Sequence, residues 1–327
     1  LVLAGHDVAS GGLVTTLMEM TFPNKEGGTS ISFDKFEEED VIKLLFNENP
    51  AVILQVEDLQ KVESILGKHQ TSFIPLGKTT DSRNIKLAKD DWNLELSIDD
   101  MRDIWAKTSH LLDREQSKPE IADQRFTNFK EQPLHYKFPE NYTGKFNDYG
   151  IDEKRRTSSG IKAAIIREKG VNGDREMAYS LYLAGFDVKD VHMTDLISGR
   201  EDLTDVNMIV FVGGFSNSDV LGSAKGWAGS FIFNEKAKTA LDNFYKREDT
   251  LSLGVCNGCQ VMMELGLIYP ELGDNHPRMH HNISGKFESA FVNVDVLKNN
   301  SVMFGSLAHS KLGIWLAHGE GQFVLPG

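Results

Sequence analysis

Between Gly160 and Leu267 the chain alternates short β-rich runs with helix-patterned segments, and this alternation restricts the fold more than any other feature. Ile161–Ile166, Asp187–His192, Met208–Val212 and Thr250–Val255 read as strands, and Arg175–Ala184, Phe231–Tyr245 and Gln260–Leu267 as helices. Strand and helix in turn at this spacing predict an α/β fold, a doubly wound parallel sheet covered by helices. Ligands of such sheets bind beyond the carboxyl ends of the strands. The polar, glycine-rich turns Gly213–Ser218 and Cys256–Gly258 fall at that edge.

The first hundred residues mix the two periods differently. Leu1–Ala4 reads as a short buried strand, His6–Gly12 as a glycine-bearing turn, and Leu13, Val14, Leu17, Met18 and Met20 as the apolar face of a helix. Ile31 and Phe33 alternate, Glu37–Asp40 opens a helix reaching Phe46, and Leu59–Gly67 forms another; Ala51–Val56, Phe73–Thr79 and Ile85–Leu87 read as strands. Acidic residues at a helix start suit its dipole, so the Glu37–Asp40 cluster needs no ligand. Asp99–Gln116 has helical periodicity, with Met101, Ile104, Trp105, Thr108, Leu111 and Leu112 on one side. Lys118–Gly150 is polar, carries Pro119, Pro133 and Pro139, and lacks a sustained apolar period, as a connector would. The expected organisation is an α+β subdomain over 1–98, a helix and connector over 99–159, and the α/β domain over 160–327.

Charge narrows the partners. Lys+Arg 35 against Asp+Glu 48 gives a net charge of −13, with no basic run to offset it, so neither nucleic acid nor an anionic membrane is expected to bind. No apolar run approaches the roughly 18–20 residues of a spanning helix, and the first residues lack the basic region of a signal peptide. A cytoplasmic protein is expected. The chain begins without Met on an apolar run and stops soon after a charged motif, which suggests a piece of something longer.

The chemistry concentrates in Leu253-Gly254-Val255-Cys256-Asn257-Gly258-Cys259-Gln260. It has the G-x-C-x-G form of a nucleophile elbow, in which a strand turns sharply into a helix and holds the central residue above the sheet. This selects Cys256 over Cys259, and a helix N-terminus favours the thiolate. Two buried core thiols, or a redox or metal C-x-x-C pair, are the alternatives; a second cysteine pair for a metal is missing. A nucleophile needs a base and the base an orienting group. His318-Gly319-Glu320 qualifies, because alternate residues of an extended segment share a side and Glu320 would accept from the His318 imidazole. Alone, such a pair reads equally as a surface ion pair. Backbone N–H groups of Asn257 and of the turn Gly213-Gly214-Phe215 are candidate donors to an oxyanion.

These residues resemble the three signatures of the class I glutamine amidotransferase domain in phosphoribosylformylglycinamidine synthases of the large single-chain type. The signatures are Gly254-Val255-Cys256-Asn257-Gly258-Cys259-Gln260, Gly213-Gly214-Phe215-Ser216 followed by Asp219-Val220-Leu221-Gly222, and Ala317-His318-Gly319-Glu320-Gly321. The resemblance continues through Arg167–Asn172, Ala184–Asp187, Val191–Leu196 and Ser284–Glu288. Gly5-His6-Asp7-Val8-Ala9-Ser10-Gly11-Gly12-Leu13 is similar to the segment opening the last synthetase subdomain, in the fold shared with aminoimidazole ribonucleotide synthetase. It departs from the commoner order at Ala9-Ser10, and its glycines read equally as a helix cap or a phosphate-binding turn.

The resemblance implies a flavodoxin-like amidotransferase in which Cys256 attacks glutamine, His318 transfers protons, Glu320 orients it and Gln260 contacts the bound glutamine. It implies ammonia delivery to an ATP- and Mg2+-dependent centre whose principal residues lie on upstream synthetase domains, with no cofactor or metal in the present residues. Family members continue past His-Gly-Glu-Gly, so weak uncoupled glutaminase activity is expected. A related cysteine hydrolase or peptidase, and a non-catalytic interaction domain, are the competing readings.

Overall fold

The computed structural model describes residues 1–131 and 134–326, so Pro133, one of the prolines read as punctuating the connector, lies outside the described residues. The chain forms two compact units, Leu1–Leu134 and His135–Gly327. No helix among the described residues is long and apolar enough to cross a membrane.

In the first unit the elements run β1 (Val2–Asp7), α1 (Gly12–Thr21), β2 (Gly28–Ser32), α2 (Val41–Leu45), β3 (Val52–Val56), α3 (Leu59–Lys68), β4 (Gly77–Thr80), β5 (Asn84–Lys89), β6 (Trp92–Ser97), α4 (Ile98–Gln116) and α5 (Pro119–Asn128). A mixed sheet has the order β4-β2-β5-β6, with β2 and β5 parallel. Its core joins Val14 and Leu17 of α1 to Ile31, Phe33, Ile85, Leu87 and Ile98. Local chemistry sets the helix starts: Asp40 accepts from the Ile42 and Lys43 amides, and Ser97 from the Asp100 amide.

Three expectations change in this unit. The first strand forms but is not buried: β1 pairs with β3 alone among the described residues, and Val2 and Leu3 are more than half exposed. The stripe assigned to α4 faces outward at Ile104, Trp105, Leu111 and Leu112, while Ile98 and Arg102 turn inward. Arg102 is buried because its guanidinium lies 4.1 Å from the Phe129 ring centroid and 5.1 Å from that of Phe126, and it donates to the Phe126 carbonyl. The polar stretch after residue 118 is not all connector. It contains α5, started by Pro119 where a missing N–H costs nothing, and clipped to α4 by Arg114–Asp123 and Arg125–Asp113 ion pairs.

The second unit runs β7 (Lys162–Arg167), α6 (Asp174–Leu183), β8 (Asp187–His192), α7 (Met193–Ser198), β9 (Met208–Phe211), α8 (Lys225–Ile232), α9 (Glu235–Tyr245), β10 (Leu251–Gly254), α10 (Asn257–Glu264), β11 (Arg278–His280), β12 (Glu288–Asp295), β13 (Lys311–His318) and β14 (Gln322–Val324). The parallel sheet has the order β10-β9-β7-β8. Chain order reverses at β7, so the fold is doubly wound. Alternate residues of β7 enter opposite cores: Ala163 and Ile165 meet Leu181 and Val210, whereas Ala164 and Ile166 meet Phe211, Trp227 and Phe231. The helix expected over Phe231–Tyr245 is two helices, because Asn234 breaks the run and caps α9 by accepting from the Ala237 amide. Beyond this sheet, β12 and β13 pair antiparallel from Asp295–Lys311 to Glu288–His318, and β11 pairs with β14.

Candidate active site

The elbow is present as drawn from its spacing. Val255 donates to the Phe211 carbonyl at 3.0 Å, extending β10 by one residue, and α10 starts at Asn257. Between them Cys256 has φ 54 and ψ −112, a conformation L-residues rarely adopt. Two close approaches hold it there. A side chain on Gly258 would overlap the Phe211 backbone, and a Cβ on Gly254 would lie 2.7 Å from the Gly258 carbonyl oxygen. Cys256 is exposed, while Cys259 is half-buried and packs toward the protein. Burial pushes the Cys259 thiol up, and the neighbouring Cys256 adds to the effect.

The turn after β9 lies against the elbow. A Cβ on Gly213 would come 3.2 Å from Cys256 Cβ, and Gly214, at φ +120, lets the backbone pass Val171 where a Cβ would sit 2.6 Å from Cα. The segment Gly170–Asn172 clamps this turn: Asn172 donates to the Gly213 carbonyl at 2.8 Å and Phe215 to the Gly170 carbonyl at 3.0 Å. That second bond corrects one expectation. The Phe215 N–H is spent on Gly170, whereas the Asn257 N–H, as the first of α10, has no acceptor within the helix.

The third signature arrives on β13. Cys256 Sγ lies 3.6 Å from the carbonyl oxygen of Ala317, so the thiol sits against the residue that precedes His318. The expected contact between His318 and Glu320 is not formed. His318 Nδ1 lies 2.9 Å from Asn282 Oδ1, and Glu320 Oε1 accepts from the Ser223 amide at 3.2 Å. The physical reason is local: alternate residues share a side only while the chain stays extended, and β13 ends at His318. The ring folds over Gly321, where a Cβ would overlap it. The exposed His281 has its Nδ1 3.9 Å from Glu320 Oε1.

A buried amide network ties the signatures together. Asn257 Oδ1 accepts from the Ser216 amide at 3.2 Å, and Asn257 Nδ2 donates to Gln260 Oε1 at 3.0 Å and Asp219 Oδ1 at 3.4 Å. Gln260 Nε2 in turn donates to the Glu320 carbonyl at 2.9 Å. Gln260 is 6% exposed, and its amide bonds Asn257 at one end and the Glu320 carbonyl at the other, so it braces the turn after His318. Sequence reasoning assigned no role to Asp219, Ser223 or Asn282; the first two lie in or beside the Gly213–Gly222 signature, and Asn282 stands just before the Ser284–Glu288 stretch. Among the described residues no group of three or more His, Cys, Asp or Glu is arranged to hold a metal ion.

Residues 160–327 match the family model of the CobB/CobQ-like glutamine amidotransferase domain, and residues 1–90 that of the AIR synthase related protein, C-terminal domain. The chain is 38% identical to a probable phosphoribosylformylglycinamidine synthase, chloroplastic/mitochondrial, of Arabidopsis thaliana, over 100% of this chain and 23% of that protein. It is 37% identical to the phosphoribosylformylglycinamidine synthase of Homo sapiens, over 98% of this chain and 25% of that protein. The chain thus spans about a quarter of the length of these curated relatives. Among solved structures it is similar to PurLQS from Thermotoga maritima, at 27% identity and a TM-score of 0.41, over 51% of this chain and 70% of that one. With its elbow on a doubly wound sheet and its family match covering residues 160–327, the chain belongs to the CobB/CobQ-like glutamine amidotransferase domain family.

Proposed function

We propose that residues 160–327 hydrolyse glutamine to glutamate and ammonia as the ammonia-supplying part of formylglycinamidine ribonucleotide synthesis. The observation that carries this reading is the meeting of the Cys256 elbow with the strand end bearing His318, through the 3.6 Å approach of Sγ to the Ala317 carbonyl. The Cys256 thiolate attacks the side-chain amide carbon, and the tetrahedral oxygen is met by the Gly214 and Asn257 N–H groups. The carbon–nitrogen bond then breaks as His318 gives a proton to the departing ammonia. A γ-glutamyl thioester remains on Cys256. Water, losing its proton to His318, hydrolyses it and regenerates the thiol. Glu320 acts through the turn it anchors on Ser223.

In the longer relatives' chemistry ATP and Mg2+ would activate the acceptor of ammonia. Upstream synthetase domains of the same polypeptide are the natural partners, glutamine is the substrate, and neither nucleic acid nor membrane is part of the reading. A cytoplasmic setting accompanies it.

The test is a diazoketone analogue of glutamine, followed by intact and peptide mass. One adduct on Cys256, blocked by glutamine and absent in Cys256→Ser, is expected. Labelling no faster than that of a free thiol overturns the reading in favour of an interaction domain, and preferential trapping by a peptide aldehyde points to a peptidase. Adding the upstream domains should restore glutamine-dependent amidine formation.

A further inference from the structure

We propose that Ser158 is a phosphorylation site for a basophilic serine/threonine protein kinase, and that its phosphate opens the clip holding the segment before β7 to the start of β8. The segment runs Asp152-Glu153-Lys154-Arg155-Arg156-Thr157-Ser158-Ser159-Gly160 and forms neither helix nor strand. Arginines three and two positions ahead of a serine suit such kinases, whose peptide groove pairs carboxylates with both guanidinium groups. Of Thr157, Ser158 and Ser159, only Ser158 has arginine at both positions. Arg156, Thr157 and Ser158 are exposed. The Arg156 side chain makes no hydrogen bond or ion pair among the described residues, so its charge is open to a partner.

Asp187 is the hub of the clip. Ser158 Oγ donates to its Oδ2, as do the Ser159 amide at 3.1 Å and the Gly160 amide at 3.0 Å, while Arg155 Nη1 donates to its Oδ1 at 3.1 Å. Arg155 also donates to the Phe186 carbonyl at 2.6 Å, and its Cζ lies 5.0 Å from the centroid of the Tyr182 ring. The Tyr182 hydroxyl in turn donates to the Arg155 carbonyl at 2.6 Å. Among the described residues β8 is the edge strand of its sheet, so the clip closes on a rim rather than inside the core. A kinase groove takes an extended peptide, and Arg155 must leave Asp187 to enter it. Local opening of the clip therefore sets the rate of modification.

The step is phosphoryl transfer from ATP. The bond from Ser158 Oγ to the γ-phosphorus forms as the bond from that phosphorus to the β,γ-bridging oxygen breaks, the hydroxyl proton passes to a carboxylate base of the kinase, and ADP leaves. The ester oxygen then has no hydrogen to donate to Asp187. A charge of about −1.5 to −2 stands beside the carboxylate, and Arg155 is drawn from Asp187 toward the phosphate. Repulsion replaces a hydrogen bond, so the backbone of Ser158–Gly160 leaves the start of β8.

The experiment is incorporation of phosphate into the folded chain from MgATP by the catalytic subunit of cyclic-AMP-dependent protein kinase, with the site located by peptide mass. One phosphate on Ser158 is expected. Incorporation should be about tenfold slower in Arg156→Ala, whose side chain holds nothing in the fold, because one of the two charges read by the kinase is gone. It should be faster in Asp187→Asn, which weakens the clip. Phosphorylation should lower the urea midpoint of the parent and leave that of Asp187→Asn nearly unmoved, because the charge it meets has been removed. Incorporation only after denaturation, phosphate on Thr157 or Ser159 with Ser158 bare, or a parental rate in Arg156→Ala overturns the site. An Asp187→Asn chain modified no faster than the parent, or equal shifts of the two urea midpoints, overturns the clip.

Discussion

Cys256 Sγ and the carbonyl oxygen of Ala317, 61 positions apart in the chain, lie 3.6 Å from one another. The contact sets the Cys256 thiol against the end of β13, one peptide from His318. A thiol on a strained elbow and an imidazole on a strand end are thereby joined through main chain that neither element controls alone.

The backbone of Cys256 adopts a conformation that costs an L-residue free energy. Replacing it by glycine removes the side-chain penalty at φ 54. Cys256→Gly should raise unfolding free energy by about 1 kcal/mol while abolishing the thioester. Urea denaturation alongside labelling by the glutamine analogue checks both halves; a destabilised variant would show that the elbow is unstrained.

The two thiols should react unequally. Cys259 is half-buried and its thiol is pushed up by burial, with Cys256 adding to the shift, so at neutral pH it stays protonated. Iodoacetamide followed by peptide mapping should modify Cys256 first and Cys259 only after denaturation. Equal rates in the folded chain would contradict the placement of Cys259.

Gln260→Leu keeps much of the volume and deletes both amide bonds, leaving the Glu320 carbonyl and one Asn257 N–H without their partner. A loss of about 2 kcal/mol is expected. Hydrogen exchange should rise at residues 318–321 before it rises elsewhere, because the bond to Glu320 spans the two segments.

Gly321→Ala puts a methyl group where the His318 ring lies. The ring must move, and kcat for glutamine should fall about 100-fold with glutamine binding retained. Steady-state ammonia release at saturating glutamine measures this. An unchanged kcat would place the working imidazole elsewhere.

Acid stability has a contribution from Asp187. The Ser158 hydroxyl, then the Ser159 amide, with Arg155 and the Gly160 amide, hold its carboxyl well below the usual carboxylate range against an opposing desolvation. In the unfolded chain it titrates near pH 4, at about the ordinary value. The folded state therefore binds fewer protons in that window, and the stability gained is present above about pH 4 and is lost as pH falls toward the folded value. Urea midpoints from pH 6 to 3 should fall more steeply for the parent than for Asp187→Asn; parallel profiles would remove Asp187 from the account.

The sheet, its order of strands and helices and the elbow were all readable because each rests on local rules. A buried parallel strand such as Ile161–Ile166 is a continuous apolar run, and the glycines flanking Cys256 are demanded by backbone within four residues or by the next strand. The N-terminal subdomain was less readable. In α4 the residues Ile104, Trp105, Leu111 and Leu112 outnumber those that face inward, and only the arrangement of α5 and the Phe129 ring makes a buried site for Arg102.

For the site, sequence alone determined which residue types stand at the strand ends: a cysteine on the elbow, a histidine and a glutamate after β13, glycines after β9. Tertiary structure decided who meets whom. The Phe215 amide was lost to Gly170, Gln260 was turned to Glu320, and His318 was given to Asn282. The reason is that spacing predicts a shared side only within one regular element. Once β13 ends at His318, hydrogen-bond partners are chosen by segments distant in sequence, under the requirement that buried polar groups be paired.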